Sequence, residues 1–235
     1  MINTAISHEW DLIAEERLKD RQEKKDKSYE TILKPSIISK IKNNDLNYVL
    51  DVGCGSGELT KEISLFSKKI KAVDISPKSI ELALEYNNSK NIEYLLSDVE
   101  NFESKEEFTL AYSNMALMDI QEIKVVLQNV FHSLKNNSKF IFTITHPAFW
   151  PIYWNYQNEN NFNYLENKAI IKEFKTQNKT FNGLKTRHFH RPISEYLTTA
   201  IQVGFQIKDC IELADVEKKY WYPRFLLIEL EKSNA

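Results

Sequence analysis

One stretch limits what this chain can fold into more than any other: Tyr48-Val49-Leu50-Asp51-Val52-Gly53-Cys54-Gly55-Ser56-Gly57-Glu58-Leu59-Thr60. A short apolar run carrying an acid meets three glycines at alternate positions, and a helix-like pattern begins at Glu58. The pattern predicts a buried strand, a tight turn and a helix N-terminus. Glycines in such a turn can take positive φ and let a ligand approach the main chain, and the helix start offers free N–H groups. The chain has only 5 glycines, so three of them in one turn argue for a ligand over a plain connection. The dinucleotide fingerprint G-x-G-x-x-G would place its third glycine at Glu58, where a carboxylate would repel a pyrophosphate. A nicotinamide-dependent oxidoreductase is therefore the weaker reading.

The strand–helix alternation continues from there. Helix is expected from Leu59 to Phe66, strand at Ile70-Lys71-Ala72-Val73-Asp74, helix opened by Ser76 and Pro77, and strand at Ile92-Glu93-Tyr94-Leu95-Leu96. A fourth strand reads Phe108 to Ser113. Ile123, Val126, Leu127, Val130, Phe131 and Leu134 mark an amphipathic helix, Lys135-Asn136-Asn137 a turn, and Lys139 to Thr145 a fifth strand. Asp51, Asp74 and Asp98 each fall at or just after a strand. Any one alone reads as a turn residue or cap, but together they favour a ligand site at the strand C-termini, where Asp74 can accept both hydroxyls of a ribose.

These residues resemble the class I S-adenosylmethionine (SAM) methyltransferases. The resemblance rests on Asp51-x-Gly53-x-Gly55-x-Gly57, on Asn114-Met115-Ala116-Leu117-Met118-Asp119 with the helix after it, and on Thr145-His146-Pro147-Ala148-Phe149. It runs from about Trp10 to Glu231 and is thinnest between Ile152 and Lys185. Lys135-Asn136-Asn137-Ser138 departs from the Pro-Gly-Gly turn usual in such proteins. The resemblance implies a Rossmann-like α/β fold whose seven strands run in the order 3-2-1-4-5-7-6, the last antiparallel. It implies SAM as cofactor, S-adenosylhomocysteine as product, and a small-molecule acceptor methylated on O, N or S. Cofactor contacts are then expected from Asp51, Gly53, Cys54, Gly55, Gly57, Asp74, Ile75, Asp98, Val99, Ser113, Asn114, Met115 and Tyr29.

Before and after this core the sequence is less regular. Ser7 to Lys25 predicts a helix capped by Ser7 with Trp10, Ile13, Ala14 and Leu18 on its apolar face, and Ser28 to Ile41 a second helix broken or restarted at Pro35. The run Lys19 to Lys27 reads as a solvated face or hinge. Residues 1–45 are expected to form a helical cap, 46–149 and 186–235 the SAM-binding core, and 150–185 an insertion over the active site. That insertion is too long for an ordinary connection. It is studded with aromatics and reads as β-rich, with Trp150 and Tyr153 as acceptor contacts, joined by His188, His190 and Arg191 where the chain returns to the site. The same aromatics could instead form a satellite core. Gly204 is a plausible cap for the last helix, before strands at Phe205–Leu213 and Tyr222–Leu230.

His146 is the candidate general base, on the expectation that it faces the pocket after the fifth strand. His188 and His190 alternate on one strand face, but no third ligand accompanies them and no metal is expected. The fourth strand reads Ser113-Asn114-Met115-Ala116, without the Pro-Pro signature of amino methylases acting on bases or glutamine. The net charge of −2 gives no global basic character for nucleic acid. A methyltransferase of RNA or protein, or a non-catalytic SAM-binding module, stays open as an alternative. Two cysteines and no visible signal peptide or apolar span lead to an expectation of a cytoplasmic monomer or homodimer with no membrane partner.

Overall fold

The computed structural model describes residues 2–105, 107–159, 161–176, 180–214 and 219–233. Parts of the expected insertion (160, 177–179) and of the expected C-terminal core (215–218, 234–235) lie outside the described residues.

Five strands lie parallel: β1 (Val49–Val52), β2 (Ile70–Asp74), β3 (Ile92–Leu96), β4 (Phe108–Asn114) and β5 (Leu134–Thr145). A separate antiparallel ribbon is made by β6 (Lys168–Lys175) and β7 (Thr180–His190). The sheet is completed by β8 (Phe205–Leu213) and β9 (Phe225–Lys232), with β9 inserted antiparallel between β5 and β8. The order β3-β2-β1-β4-β5-β9-β8 is the expected one, since β8 and β9 are the sixth and seventh strands of the sheet. β1 is buried along its whole length and β4 at every position but its last, as central parallel strands covered on both faces must be.

The helices are α1 (Ile2–Gln22), α2 (Lys34–Ile41), α3 (Glu58–Ser64), α4 (Pro77–Tyr86), α5 (Ile123–Ser133), α6 (Trp150–Tyr153) and α7 (Ile193–Val203). One face of the sheet packs Leu50, Phe140 and Ile228 against Val126 and Val130 of α5 and Ala200 of α7. The other packs Val49, Leu110 and Ile141 against Ile37 and Ile41 of α2 and Ile63 of α3. Outside both, Ala14 and Leu18 of α1 meet Leu82 of α4. Lys40 of α2 pairs with Asp209 (2.6 Å) and Glu229 (2.9 Å), fixing that helix to the two antiparallel strands. No helix among the described residues is long and apolar enough to cross a membrane.

The N-terminal expectations need correction. α1 starts upstream of Ser7, whose hydroxyl does not cap it but donates to the Ile75 carbonyl (2.9 Å). Of the two outcomes expected at Pro35, the restart is the one found. Pro35 sits in the first turn of α2, where its missing N–H costs nothing, and the chain enters through a wide turn, Tyr29–Leu33, in which the Lys34 N–H reaches the Tyr29 carbonyl. The charged run Lys19–Lys27 is not a plain solvated face, because Asp20 and Asp26 are buried and Asp26 accepts the Tyr29 N–H (3.1 Å). α3 ends at Ser64 and β9 begins at Phe225, both shorter at that end than expected. Ser76 caps α4 by accepting the Ser79 N–H, and Gly204 closes α7 with φ +116°.

Ile37 is fully buried between α2 and the sheet. Ile37→Ala should cost about 2–5 kcal/mol of stability through the cavity it leaves, measurable by urea unfolding. A loss below about 1 kcal/mol would mean that α2 is not part of the cooperative core.

Candidate active site

The ends of β1, β2 and β4 and the turn after β3 open into a chamber roofed by α1. It has two lobes, which share Trp10, Arg17, Arg21, Met115 and Asp119. The first lies on the glycine loop and the strand-end acids. The second lies beneath the β6–β7 ribbon, against α6 and the start of β9.

In the first lobe, Asp51 at the end of β1 is buried and accepts hydrogen bonds from Thr60 Oγ1 (2.6 Å) and the Tyr112 hydroxyl (2.5 Å). Burial pushes its carboxyl up to about 7, against the pull of those two donors. The glycine loop turns on three positive φ values, yet its glycines serve different ends. A Cβ on Gly53 would lie 2.3 Å from Ala116 Cβ, and one on Gly57 would lie 2.4 Å from the Tyr94 hydroxyl. Those two positions make room for neighbours in the protein. Only Gly55 faces open space, so the close-approach argument holds there.

Asp74 is aimed by the glycine loop and by its own loop, accepting N–H groups of Gly55 (2.7 Å) and Ser76 (2.9 Å). Burial raises its pKa, and those donors oppose the shift. Asp98 accepts the Glu100 N–H (2.9 Å) and the Asn3 side-chain amide (2.6 Å). α1 is further tied down where Asp11 accepts from Ser76 Oγ (2.6 Å) and the Lys78 N–H (3.0 Å). Cys54, Ile75, Val99, Asn114 and Met115 also line this lobe. Met115 has φ +62°, a left-handed conformation costly for a non-glycine residue. It turns the chain at the end of β4 and puts Met115 on the boundary between lobes.

The second lobe is walled by Trp150, Tyr153, Trp154 and Phe174, with Thr145, Thr186, His188, Lys175 and Arg224 among its polar residues. His188 Nδ1 lies 3.7 Å from Asp119 Oδ1, and burial pushes the imidazole down to about 3, with help from the Arg191 charge. Arg17 rests on the faces of Trp10 and Phe174, 5.5 and 4.9 Å from the ring centres.

Several expected residues stand elsewhere. His146, expected to face the pocket, lines neither lobe: its Nε2 meets Glu212 Oε1 (3.0 Å) and its Nδ1 accepts the Ala148 N–H (3.3 Å). Thr145 lines the second lobe, and along an extended chain its successor points the other way. His190 is held by the Tyr164 carbonyl (3.0 Å) and Tyr156 (3.3 Å), and Arg191 by the carbonyls of Ile120 (2.5 Å) and Gln121 (2.6 Å). Ser113 is buried with its hydroxyl on the Val52 carbonyl. Tyr29 lies behind Arg21, whose guanidinium stacks on its ring at 3.6 Å. Gly57 likewise stands outside the lining. Arg17 and Arg21 were missed, although Trp10, Ala14, Arg17 and Arg21 fall at helical spacing on one stripe of α1 and all four line the first lobe.

The sheet order, the glycine loop and the strand-end acids together define the class I SAM-dependent methyltransferase fold. Residues 50–142 match the family described as a methyltransferase domain, and the chain carries a class I SAM-dependent methyltransferase domain. It is 31% identical over 191 residues to the malonyl-[acyl-carrier protein] O-methyltransferase of Acetivibrio thermocellus, a match covering 80% of this chain and 64% of that protein. The share falls to 47% for the counterparts in Bacillus anthracis and Bacillus cereus, so the chain spans about half to two thirds of the length of these relatives. Among solved structures, a SAM-dependent methyltransferase from Clostridium acetobutylicum superposes with TM-score 0.68 at 19% identity, covering 93% of this chain and 97% of that one. The N-methyltransferase NodS of Bradyrhizobium japonicum in complex with S-adenosylhomocysteine superposes with TM-score 0.59 at 12% identity, covering 83% and 82%.

Asp51→Asn tests the buried carboxyl. With a folded pKa near 7 against an ordinary 3.8, the folded state binds more protons than the unfolded one between about pH 4 and 7. Wild-type stability therefore falls as pH rises through that window, and the variant lacks this slope. It should gain on the parent by roughly 2–4 kcal/mol between about pH 4 and 8, read from urea unfolding at a series of pH values. Parallel stability curves would place the ionisation elsewhere.

Proposed function

We propose that this chain transfers a methyl group from SAM to a small-molecule acceptor seated in the second lobe. One observation carries the reading: an acid-lined lobe on the glycine loop meets an aromatic-walled lobe at Met115 and Asp119. When bound, SAM supplies a methyl group on a positively charged sulfur. In this reading Asp74 holds the ribose hydroxyls, Asp98 and Val99 meet the adenine, and Gly55 leaves room for the methionyl part. Asp51 stiffens the floor beneath the cation. Oriented attack in a water-poor chamber lowers the barrier mainly by positioning, by on the order of 7–11 kcal/mol.

The domain reading follows. Residues 1–45 act as a cap, 46–149 with 186–235 as the cofactor-binding core, and 150–185 as cover over the acceptor. The T-shaped contact of Trp10 with Phe174 (5.7 Å) and the Glu9–Arg187 pair (3.1 Å) support a joint roof of α1 and the ribbon. The relatives' names favour oxygen as the methylated atom.

Isothermal titration should show binding of SAM and S-adenosylhomocysteine and none of NAD. Asp74→Ala removes an acceptor of charge-assisted bonds worth about 1.5–3 kcal/mol, so SAM affinity should drop at least tenfold with the fold intact by circular dichroism. Binding of NAD alone would sink the reading, and unchanged affinity in the variant would give Asp74 a purely structural role.

A further inference from the structure

Asp51 differs from the other strand-end acids in how its hydrogen bonds are shared out. It lines the first lobe beside Gly53, Cys54 and Gly55 and is only 2% exposed. Thr60 and Tyr112 both donate to Oδ2, and no described residue donates to Oδ1. Asp74 receives one backbone N–H on each oxygen, from Gly55 and Ser76. Asp98 takes the Glu100 N–H on one oxygen and the Asn3 amide on the other. Donors on both oxygens favour the charged form, and Asp51 has them on one oxygen alone.

Among the described residues no cation pairs with Asp51. Its titratable neighbours are Asp74 from β2, Tyr112 from β4, Tyr94 from β3 and Cys54 from the loop, and α3 brings Thr60 and, into the same lobe, Glu58. Burial keeps Cys54, Tyr94 and Tyr112 protonated. The charge that this set can bring is therefore negative, like that of Asp51 itself. Arg17 and Arg21 reach the lobe from α1, but Arg17 rests on Trp10 and Phe174, and Arg21 on Tyr29 and Asp26. A carboxyl withdrawn from water without a counter-ion keeps its proton on the acid side of neutrality. Burial pushes this one up to about 7, and Oδ1 is the oxygen left to carry the proton.

SAM and S-adenosylhomocysteine share the adenine, the ribose, the α-ammonium and the carboxylate. They differ by a methyl group and by one positive charge on sulfur. A residue that tells them apart by charge has to respond to that sulfur. Asp74 and Asp98, which meet shared parts in the reading above, do not.

We propose that Asp51 separates methyl donor from spent product through its proton: the carboxyl is neutral without a cation beside it, releases its proton to solvent when the sulfonium arrives, and takes one back once methyl transfer has left an uncharged sulfur. The sign follows from linkage. A nearby cation favours the carboxylate, so below about pH 7 SAM binding expels a proton and SAM affinity rises with pH until about 7. S-adenosylhomocysteine brings no such charge, and its affinity stays flat over the same range. The preference for donor over product therefore grows with pH. The proposal rests on the methyl-transfer reading above and gives its cofactor lobe a means of discrimination.

The test is isothermal titration of the full chain in MES and in imidazole, buffers of different ionisation enthalpy, so that the difference in observed heat counts protons. SAM should release roughly 0.4–0.8 of a proton per molecule bound at about pH 6 beyond whatever S-adenosylhomocysteine releases. Sinefungin, which carries an ammonium where SAM carries its sulfonium, should behave like SAM. Between about pH 5.5 and 7, below the range where α-amino groups titrate, SAM affinity should rise at least threefold and S-adenosylhomocysteine affinity should change less than twofold. Asp51→Asn should abolish the excess proton release and the pH dependence of SAM affinity while binding S-adenosylhomocysteine within twofold of the parent. Asp74→Asn and Asp119→Asn should keep the excess release, and they carry the assignment to Asp51 if Asp51→Asn fails to fold. Equal release with SAM and S-adenosylhomocysteine, release with neither, release that persists in Asp51→Asn, or release lost in Asp74→Asn or Asp119→Asn would each overturn the proposal and leave the methyl-transfer reading intact. Failure of the wild-type chain to bind either sulfur cofactor would instead overturn that reading.

Discussion

The Asp51 carboxylate is the point on which the site depends. It sits at the end of β1 and draws in Thr60 from α3 and Tyr112 from β4. Three elements that flank the glycine loop are thus fixed by one buried group. The loop between them has little freedom left: Gly53 is pressed against Ala116 and Gly57 against Tyr94. A carboxyl in such a place is expensive in its charged form, which is why its pKa is lifted to about 7. Two short hydrogen bonds offset that expense and make the geometry stiff.

From that fixed floor the two lobes take opposite character. The glycine-loop side gathers carboxyl groups from the β1, β2 and β3 ends, while the side under the ribbon gathers guanidinium groups from α1 and from Arg224 just before β9. The field across the chamber therefore runs from acidic to basic, with the acidic side matching a cationic methyl donor. Arg17 and Arg21, on the shared border, come from a helix that the sheet does not need for its own closure.

Much of the core was legible in the sequence. β1 to β4 are short apolar runs set off by turn residues, and their order in chain and space follows from the family resemblance carried by Asp51 and the glycine loop. Asp74 and Asp98 were legible because each stands just past a strand end. What escaped reading did so for definite reasons. Arg17 and Arg21 lie on the inward stripe of α1, but a helix face sought through apolar residues alone hides a charged member. His146 was misplaced by one position of strand alternation, since Thr145 faces the lobe. Tyr29 is aromatic and near the site in sequence and space, yet Arg21 stacks between it and the chamber. The position of Arg224 depends on how β9 packs, and no local pattern states that.

α1 is attached to the strand ends by a handful of polar contacts: Asn3 to Asp98, Ser7 to the Ile75 carbonyl, and Asp11 to Ser76 and the Lys78 N–H. It is joined to the sheet in sequence only through the segment that also carries Asp26 and Ser28. A ligand that touches both Gly55 and Arg17 lies between that helix and the strand ends. Ligand occupancy and helix docking are then linked by mass action: whatever free energy holds the ligand against α1 also holds α1 against the sheet. Protease susceptibility of the first two dozen residues becomes a readout of occupancy in the chamber, and the lifetime of the docked helix sets an upper limit on how fast spent cofactor can leave past it.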